Sequence, residues 1–293
     1  MKVRSFTSSL VWVIIAYIMA AAAAIGTGYF LWEEPQWLLI LGADIAATVV
    51  IFAFSVALKN TSMYDAYWSI IPIWIVVYLW LFPEGEVNDI RSLLAGSITI
   101  LWGLRLTWNW LRGWPGLHHE DWRYIEQRKQ TGKMFQFVNF FGLHMMPTGL
   151  VYLGCLTLIP ALSTSNEPLN WIDIVATLVG LTGIFFETVA DQQLRNFRKT
   201  NTDKSRILET GLWKFSRHPN YFGEVSFWYG LAWFSIAAAP ADWWRLSGAV
   251  GMTALFLFIS IPMIDKRMLE KRPHYAERMK RVSAIFPWPP KKG

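Results

Sequence analysis

The chain has 293 residues, of which 54% are hydrophobic and only 16% charged, with 18 Trp and 19 Phe; soluble domains carry roughly 25% charge. Together with long apolar runs along the whole length, this excludes an ordinary soluble globule and points to one all-α domain, a polytopic integral membrane bundle spanning residues 1–293. The formal net charge of +6 suits lipid headgroups and calls for no nucleic acid, and the single cysteine, Cys155, rules out an internal disulfide.

Eight apolar segments are predicted: Ser9–Trp32, Trp37–Leu58, Tyr67–Phe82, Ser92–Trp110, Phe135–Leu162, Trp171–Ala190, Pro219–Ala238 and Leu246–Ile264. Most approach the ~20 residues needed to cross a bilayer core. The third is short and is expected to be tilted, kinked at Pro72 or partly re-entrant. Lys2 and Arg4 precede the first segment, and Lys59 follows the second. The other basic clusters fall at 112–133, 195–217 and 266–292, after segments four, six and eight. If the helices alternate, all of these lie on one side, while Glu33, Glu34, Glu84, Glu86, Asp89, Glu167 and Asp242 lie on the other. Parity and charge agree on cytoplasmic N and C termini. Segment one is too long for a cleavable signal peptide and lacks a cleavage site.

Several polar clusters interrupt this pattern. Asp44 and Arg105, inside segments two and four, are candidates to pair in the bundle interior. "NTSMYDAYWS" (60–69) sets Asp65 between Tyr64 and Tyr67. A tyrosine beside a carboxylate can donate a proton, and tyrosines are also ordinary interface anchors. "WPGLHHEDWRY" (114–124) concentrates His118, His119, Glu120, Asp121 and Arg123, but adjacent histidines lack the helical spacing of a zinc motif, so no metal site is expected. His144 reads as a hydrogen-bonded residue of helix packing.

Segment six ends in "FETVADQQLRNFRK", where Glu187, Asp191, Arg195 and Arg198 fall within about a quarter of the helix circumference. A snorkelling helix end explains the two arginines. Glu187 lies deep enough to need a partner or a purpose. Next comes "KFSRHPNYFGE" (214–224). Pro219 suits the first turn of a helix, whose free N–H groups and dipole, with Arg217 and His218 just ahead, form an anion site. Gly223 admits a ligand or another helix, and Asn220 and Glu224 supply acceptors one turn apart. Packing through Gly223, with Arg217 at the headgroups, fits the same residues. The basic tail "DKRMLEKRPHYAERMKRVSAIFPWPP" returns to the interface, where Arg267 and Tyr275 are candidates to close over a ligand. No nucleotide-binding GxGxxG, Walker loop or GxSxG elbow is present.

"ETVADQQLRNFRK", "TGLWKFSRHPNYFGE" and the tail ending "AIFPWPP" resemble the steroid 5-alpha-reductase superfamily, most closely a bacterial branch of largely unassigned function. The shorter RHPxYxG element is also similar to isoprenylcysteine carboxyl methyltransferases. The resemblance implies a membrane reductase that uses NADPH on a lipophilic enone drawn from the bilayer. About seven spans would then be shared, leaving the first helix as an addition. The membrane would be the bacterial inner membrane, with the site facing the cytoplasm.

By the same resemblance, Glu187, Asp191, Arg195, Arg198, Arg217, His218, Asn220, Tyr221, Gly223, Glu224, Arg267 and Tyr275 would hold the cofactor. The family's helix has Asn where this chain has Glu187. Tyr64, Asp65 and Tyr67 would be the catalytic donors, so residues 1–134 carry the substrate groups and 135–293 the cofactor pocket. Two other functions fit the residues less fully. An S-adenosylmethionine-dependent methyltransferase of a lipid-like substrate needs fewer phosphate-binding groups than the charged stripe offers. A transporter or lipid-binding membrane protein would place its polar groups nearer the midplane.

Overall fold

A computed structural model describes residues 5–291, so Lys2, Arg4 and Lys292 of the charge pattern lie outside the described residues. Among the described residues 79% are helical and none lies in a strand. Helices α1 (Phe6–Phe30) and α2 (Gln36–Leu58) are followed by a tight turn, Thr61–Tyr64, and by α3 (Tyr67–Leu81) and α4 (Asp89–Gly113). The short α5 (Trp122–Thr131) leads into α6 (Phe135–Val138) and α7 (Met146–Cys155), then α8 (Trp171–Thr200) and α9 (Pro219–Ala238). The chain closes with α10 (Ser247–Leu255), α11 (Ile261–Lys271) and α12 (Tyr275–Arg281).

Every predicted segment is helical, but not always as one regular helix. Wider π turns interrupt the fifth and eighth segments at Asn139–Met145, Pro160–Thr164 and Phe256–Ser260. Each adjoins a proline: Pro147, Pro160 and Pro262. A proline lacks the N–H for the regular ladder and its ring crowds the carbonyl four residues back, which displaces the ladder ahead of Pro147 and Pro262 and breaks it at 156–157, ahead of Pro160. Segment six runs on without a break through the charged stripe to Thr200, started by a reciprocal capping box between Asn170 and Asp173.

Among the described residues, six helical stretches are long and apolar enough to cross a membrane: Phe6–Phe30, Gln36–Leu58, Thr61–Leu81, Trp122–Thr164, Trp171–Thr200 and Pro240–Lys271. The other two expected spans, α4 and α9, fall short of that apolarity. Helix α4 carries Arg91 and Arg105, and α9 carries Glu224 among tyrosines, tryptophans and glycines. Both turn their polar groups to protein. Arg91 is fully buried and most of α9 is enclosed. Such groups are tolerated inside a membrane only in this way.

Connections divide between two ends. At one, the start of α1 meets the loop after α4, with Phe6 and Trp114 rings 6.0 Å apart. The turn before α3 meets the same loop, where Asn60 donates to the Leu117 and His119 carbonyls at 2.9 Å. At the opposite end the acidic connections join. Gln36 N–H donates to Glu84 (3.2 Å), and Asn166 donates to Glu86 (3.2 Å). This is the alternation that the charges require.

Among the described residues, α8 and α9 pack against each other most extensively. A Cβ on Gly183 would lie 2.6 Å from the Gly223 carbonyl oxygen and the Phe227 nitrogen, and one on Gly230 would lie 2.7 Å from Gly180 Cα. With only backbone at the seam, the stripe of α8 lies directly against the start of α9. Gly183→Leu is expected to push the two helices apart and cost about 1–3 kcal/mol or more. Thermal unfolding in detergent would show a lowered midpoint.

Candidate functional site

At the basic end, α8, α9, α11 and α12 enclose a hollow of about 490 Å³. The motif stays in place because the tail folds beneath it. Arg217 N–H donates to the Ser283 carbonyl (2.9 Å) and His218 N–H to the Ala284 carbonyl (3.1 Å). Ser216 Oγ donates to the Ile285 carbonyl (2.8 Å), and Trp288 N–H donates to the Phe215 carbonyl (3.0 Å). Pro219 then starts α9, with no side chain capping its first turn.

Seven of the expected cofactor residues line this hollow: Arg198, Arg217, His218, Asn220, Tyr221, Arg267 and Tyr275. Asp265, which sequence reasoning missed, organises three of them. It pairs with Arg217, and it accepts from Tyr275 OH (2.8 Å) and meets His218 Nε2 (3.0 Å). Burial first, and then the charge of Asp265, raise the Tyr275 phenol above its ordinary value, so it stays a neutral donor. The signal for Asp265 was present in the sequence as the first acid after the apolar run of segment eight.

The lining is strongly cationic. Arg206, Lys271, Arg272 and Arg278 add to the expected arginines. Arg278 is matched by Glu209 at 3.0 Å. Arg198, Arg206, Arg267, Lys271 and Arg272 have no carboxylate within ion-pair distance among the described residues. The Arg267 guanidinium lies 3.9 Å from the ring of Trp122, which brings the N-terminal half to the hollow.

The remaining expected residues lie in a polar layer on the membrane side of the hollow. Arg105 of α4 pairs with Glu187 and, at 3.0 Å, with Asp191. This corrects the expected Asp44–Arg105 pair: α4 packs on α8, whereas α2 packs on α1 and α7. Glu187 thus has its partner, yet its Oε1 and Arg105 Nε remain buried without one among the described residues. Asn109 donates to Asp191 at 3.0 Å, and Arg195 reaches the Asn109 carbonyl at 3.4 Å. Gly223 sits against Gly183 and Glu187. Glu224 accepts from the Trp102 and Trp228 indoles at 3.2 and 2.8 Å. Trp102 stacks on Phe227 at 4.3 Å and meets Trp68 at 5.8 Å. A continuous series of packed rings therefore runs from the polar layer to the start of α3.

There a second space opens, an apolar groove of about 420 Å³ between α1, α2 and α3. Asp44 and Tyr67 line it together, and the Tyr67 hydroxyl donates to Asp44 Oδ1 at 2.8 Å. The carboxylate beside Tyr67 is therefore Asp44, not Asp65. The Asp65 side chain turns the other way, accepting from Tyr124 OH and lying 3.6 Å from Arg123. Tyr64 does not line the groove. Its hydroxyl bonds Thr148 (2.8 Å), which bonds Thr48 (3.0 Å). Thr48 lies 3.4 Å from the Tyr67 hydroxyl, so the two tyrosines share one buried hydroxyl network.

The other clusters have structural partners. Glu120 accepts from Thr61 N–H and pairs with Arg128, both at 2.8 Å. Asp121 caps α5. His144, held by a π turn, bonds the Asn139 carbonyl at 2.9 Å and lies 4.8 Å from the Tyr64 ring.

These features define a polytopic membrane bundle with a cationic hollow at one end, joined through aromatic side chains to an apolar groove. The family model described as protein of unknown function (DUF1295) matches residues 51–282, and the chain belongs to that family. An uncharacterized protein of Schizosaccharomyces pombe is 26% identical over 261 residues, covering 81% of this chain and 76% of that one. The 3-oxo-5-alpha-steroid 4-dehydrogenase 1 of Homo sapiens is 32% identical over 95 residues, covering 31% of this chain and 34% of that enzyme. No solved structure matches.

Proposed function

We propose that this protein is a membrane-embedded reductase that holds NADPH in the cationic hollow and reduces a lipophilic enone in the apolar groove. The observation that carries the reading is the surplus of arginine and lysine in the hollow, most of it without carboxylate partners. These like charges converge on one hollow, several of them open to solvent, so their field favours a polyanion there, and guanidinium groups suit phosphates through paired hydrogen bonds. The partial identity with a steroid dehydrogenase agrees with it.

Arg198, Arg217 and Arg267 would meet phosphates, with Asn220, Tyr221 and Tyr275 toward ribose. The layer of Arg105, Glu187 and Asp191, with two buried polar atoms unpaired, lies where a carboxamide could be bound. When bound, the reduced dinucleotide supplies a hydride. Tyr67, held beside Asp44, would turn its hydroxyl from that carboxyl to the substrate's carbonyl oxygen, polarise it and give it a proton. We read the basic end as cytoplasmic and the membrane as a bacterial inner membrane.

Titrating purified protein with NADPH, followed by the fluorescence of the reduced nicotinamide, should show saturable binding. Saturable binding of S-adenosylmethionine with none of NADPH would favour a methyltransferase instead. Tyr67→Phe is expected to leave NADPH affinity unchanged and lower turnover by about a hundredfold or more. Unchanged turnover would place the donor elsewhere.

A further inference from the structure

The apolar groove is much longer than a carbonyl pocket requires. Its lining runs from Tyr17 to Tyr29 on α1 and from Tyr67 to Tyr78 on α3, which at ~1.5 Å per residue is about 16–18 Å of helix. Between those limits α1 offers Ala20, Ala21 and Ala24, and α2 offers Ile40 and Ala43. Small side chains on one wall leave the width of an alkyl or isoprenoid chain. At the far end Trp32 meets Phe82 edge-on, with ring centroids 5.1 Å apart. Along the side, Ile25 (72% exposed), Tyr29 (80%) and Trp74 (57%) face outward, so the groove opens laterally to hydrocarbon.

The polar end is the opposite one. Asp44 is only 4% exposed and lines the groove, and its Oδ2 has no hydrogen-bond partner among the described residues. A buried carboxyl with no cation beside it among the described residues is favoured in its neutral form, so Oδ2 carries the proton, and a bound acceptor oxygen that pairs with it is favoured. Tyr67, 3% exposed, already occupies the other oxygen. Both side chains are buried, so a bulky charged carrier beside them would be costly to desolvate. The turn before α3 faces the basic end, through its contacts with the 117–121 loop. The ligand's oxygen therefore lies nearer the basic end, and its apolar body must run the other way.

We propose that the groove takes a single-tailed lipid lengthwise, with one oxygen-bearing head at Asp44–Tyr67 and a hydrocarbon tail directed to the Trp32–Phe82 end. The lipid slides in between α1 and α3 from the membrane. This deepens the reductase reading and rests on it for the nature of the head, a conjugated ketone. Compounds with a polar group on the far end of the tail, or thioesters of large polar carriers, are excluded.

Two photoactivatable cyclohexenones bearing a dodecyl chain provide the test, one with a diazirine on the terminal carbon and one with it beside the ring. Protein in phosphatidylcholine nanodiscs is irradiated with each, and the labelled peptides are mapped by mass spectrometry. The terminal diazirine is expected on Tyr29, Trp32 or Phe82, and the ring-proximal one near Tyr17 and Tyr67. An excess of the unlabelled cyclohexenone should remove both. Ala43→Phe, which fills the middle of the groove, should cut terminal labelling more than tenfold while NADPH affinity stays as in the wild type. Ala24→Leu serves if that variant does not fold. Terminal labelling at Tyr17 and Tyr67, or labelling that neither competitor nor groove-filling variant alters, would overturn the proposal. If labelling maps as expected and the probe's C=C is never reduced with oxidation of NADPH, the lipid orientation stands and the reductase reading fails.

Discussion

Arg198→Glu is expected to eliminate saturable NADPH binding over the range in which the wild type saturates. Arg198 projects from the end of α8 into the hollow and has no carboxylate within ion-pair distance among the described residues. Its charge is therefore available to a ligand. One charge-assisted hydrogen bond contributes about 1.5–3 kcal/mol, roughly ten- to a hundredfold in affinity. Reversing the sign removes that contact and adds repulsion against a phosphate, so the loss should exceed a hundredfold. Arg217→Ala is a less clean probe, because it also frees Asp265, which is 5% exposed. The Arg198 variant should keep its thermal midpoint, because no folded-state ion pair depends on that side chain. A wild-type affinity in Arg198→Glu would remove the hollow from the account.

The largest stability effect is expected at the opposite end. Arg91 is fully buried and grips Asp173 with two hydrogen bonds, at 2.7 and 2.9 Å. It also donates to the Glu167 carbonyl (2.9 Å) and the Pro168 carbonyl (3.1 Å). Asp173 in turn accepts from Asn170 N–H at 2.9 Å in the capping box of α8. Arg91→Ala leaves that carboxylate buried without its cation and should cost about 3–5 kcal/mol. Replacing both partners with apolar residues, as in Arg91→Met with Asp173→Leu, should recover most of the loss. Thermal unfolding of the two variants tests this. Equal destabilisation of single and double variants would mean that Arg91 acts through its carbonyl bonds alone.

Apolar run lengths and the alternation of charge made the bundle legible, because both report directly on a hydrocarbon environment. The stripe on α8 and the glycine at the start of α9 were also legible, since each depends on spacing within one helix. Lateral partners were not. Arg105 meets Glu187 and Asp191 because α4 lies beside α8, and Asp44 meets Tyr67 across α2 and α3. Neither adjacency is encoded in a helical period. Asp65 illustrates the opposite error. Proximity in sequence suggested that it would support Tyr67, but the turn at Thr61–Tyr64 aims it at Tyr124 and Arg123. Regularity was overestimated wherever Pro147, Pro160 and Pro262 displaced the hydrogen-bond ladder.

Native mass spectrometry of the protein released from nanodiscs in the presence of NADPH addresses the dinucleotide site without any knowledge of the lipid. One NADPH per chain is expected, carried over at low micromolar concentration by the wild type and absent from Arg198→Glu. A wild-type protein that retains no NADPH, or that retains S-adenosylmethionine in its place, would contradict the assignment of the cationic hollow.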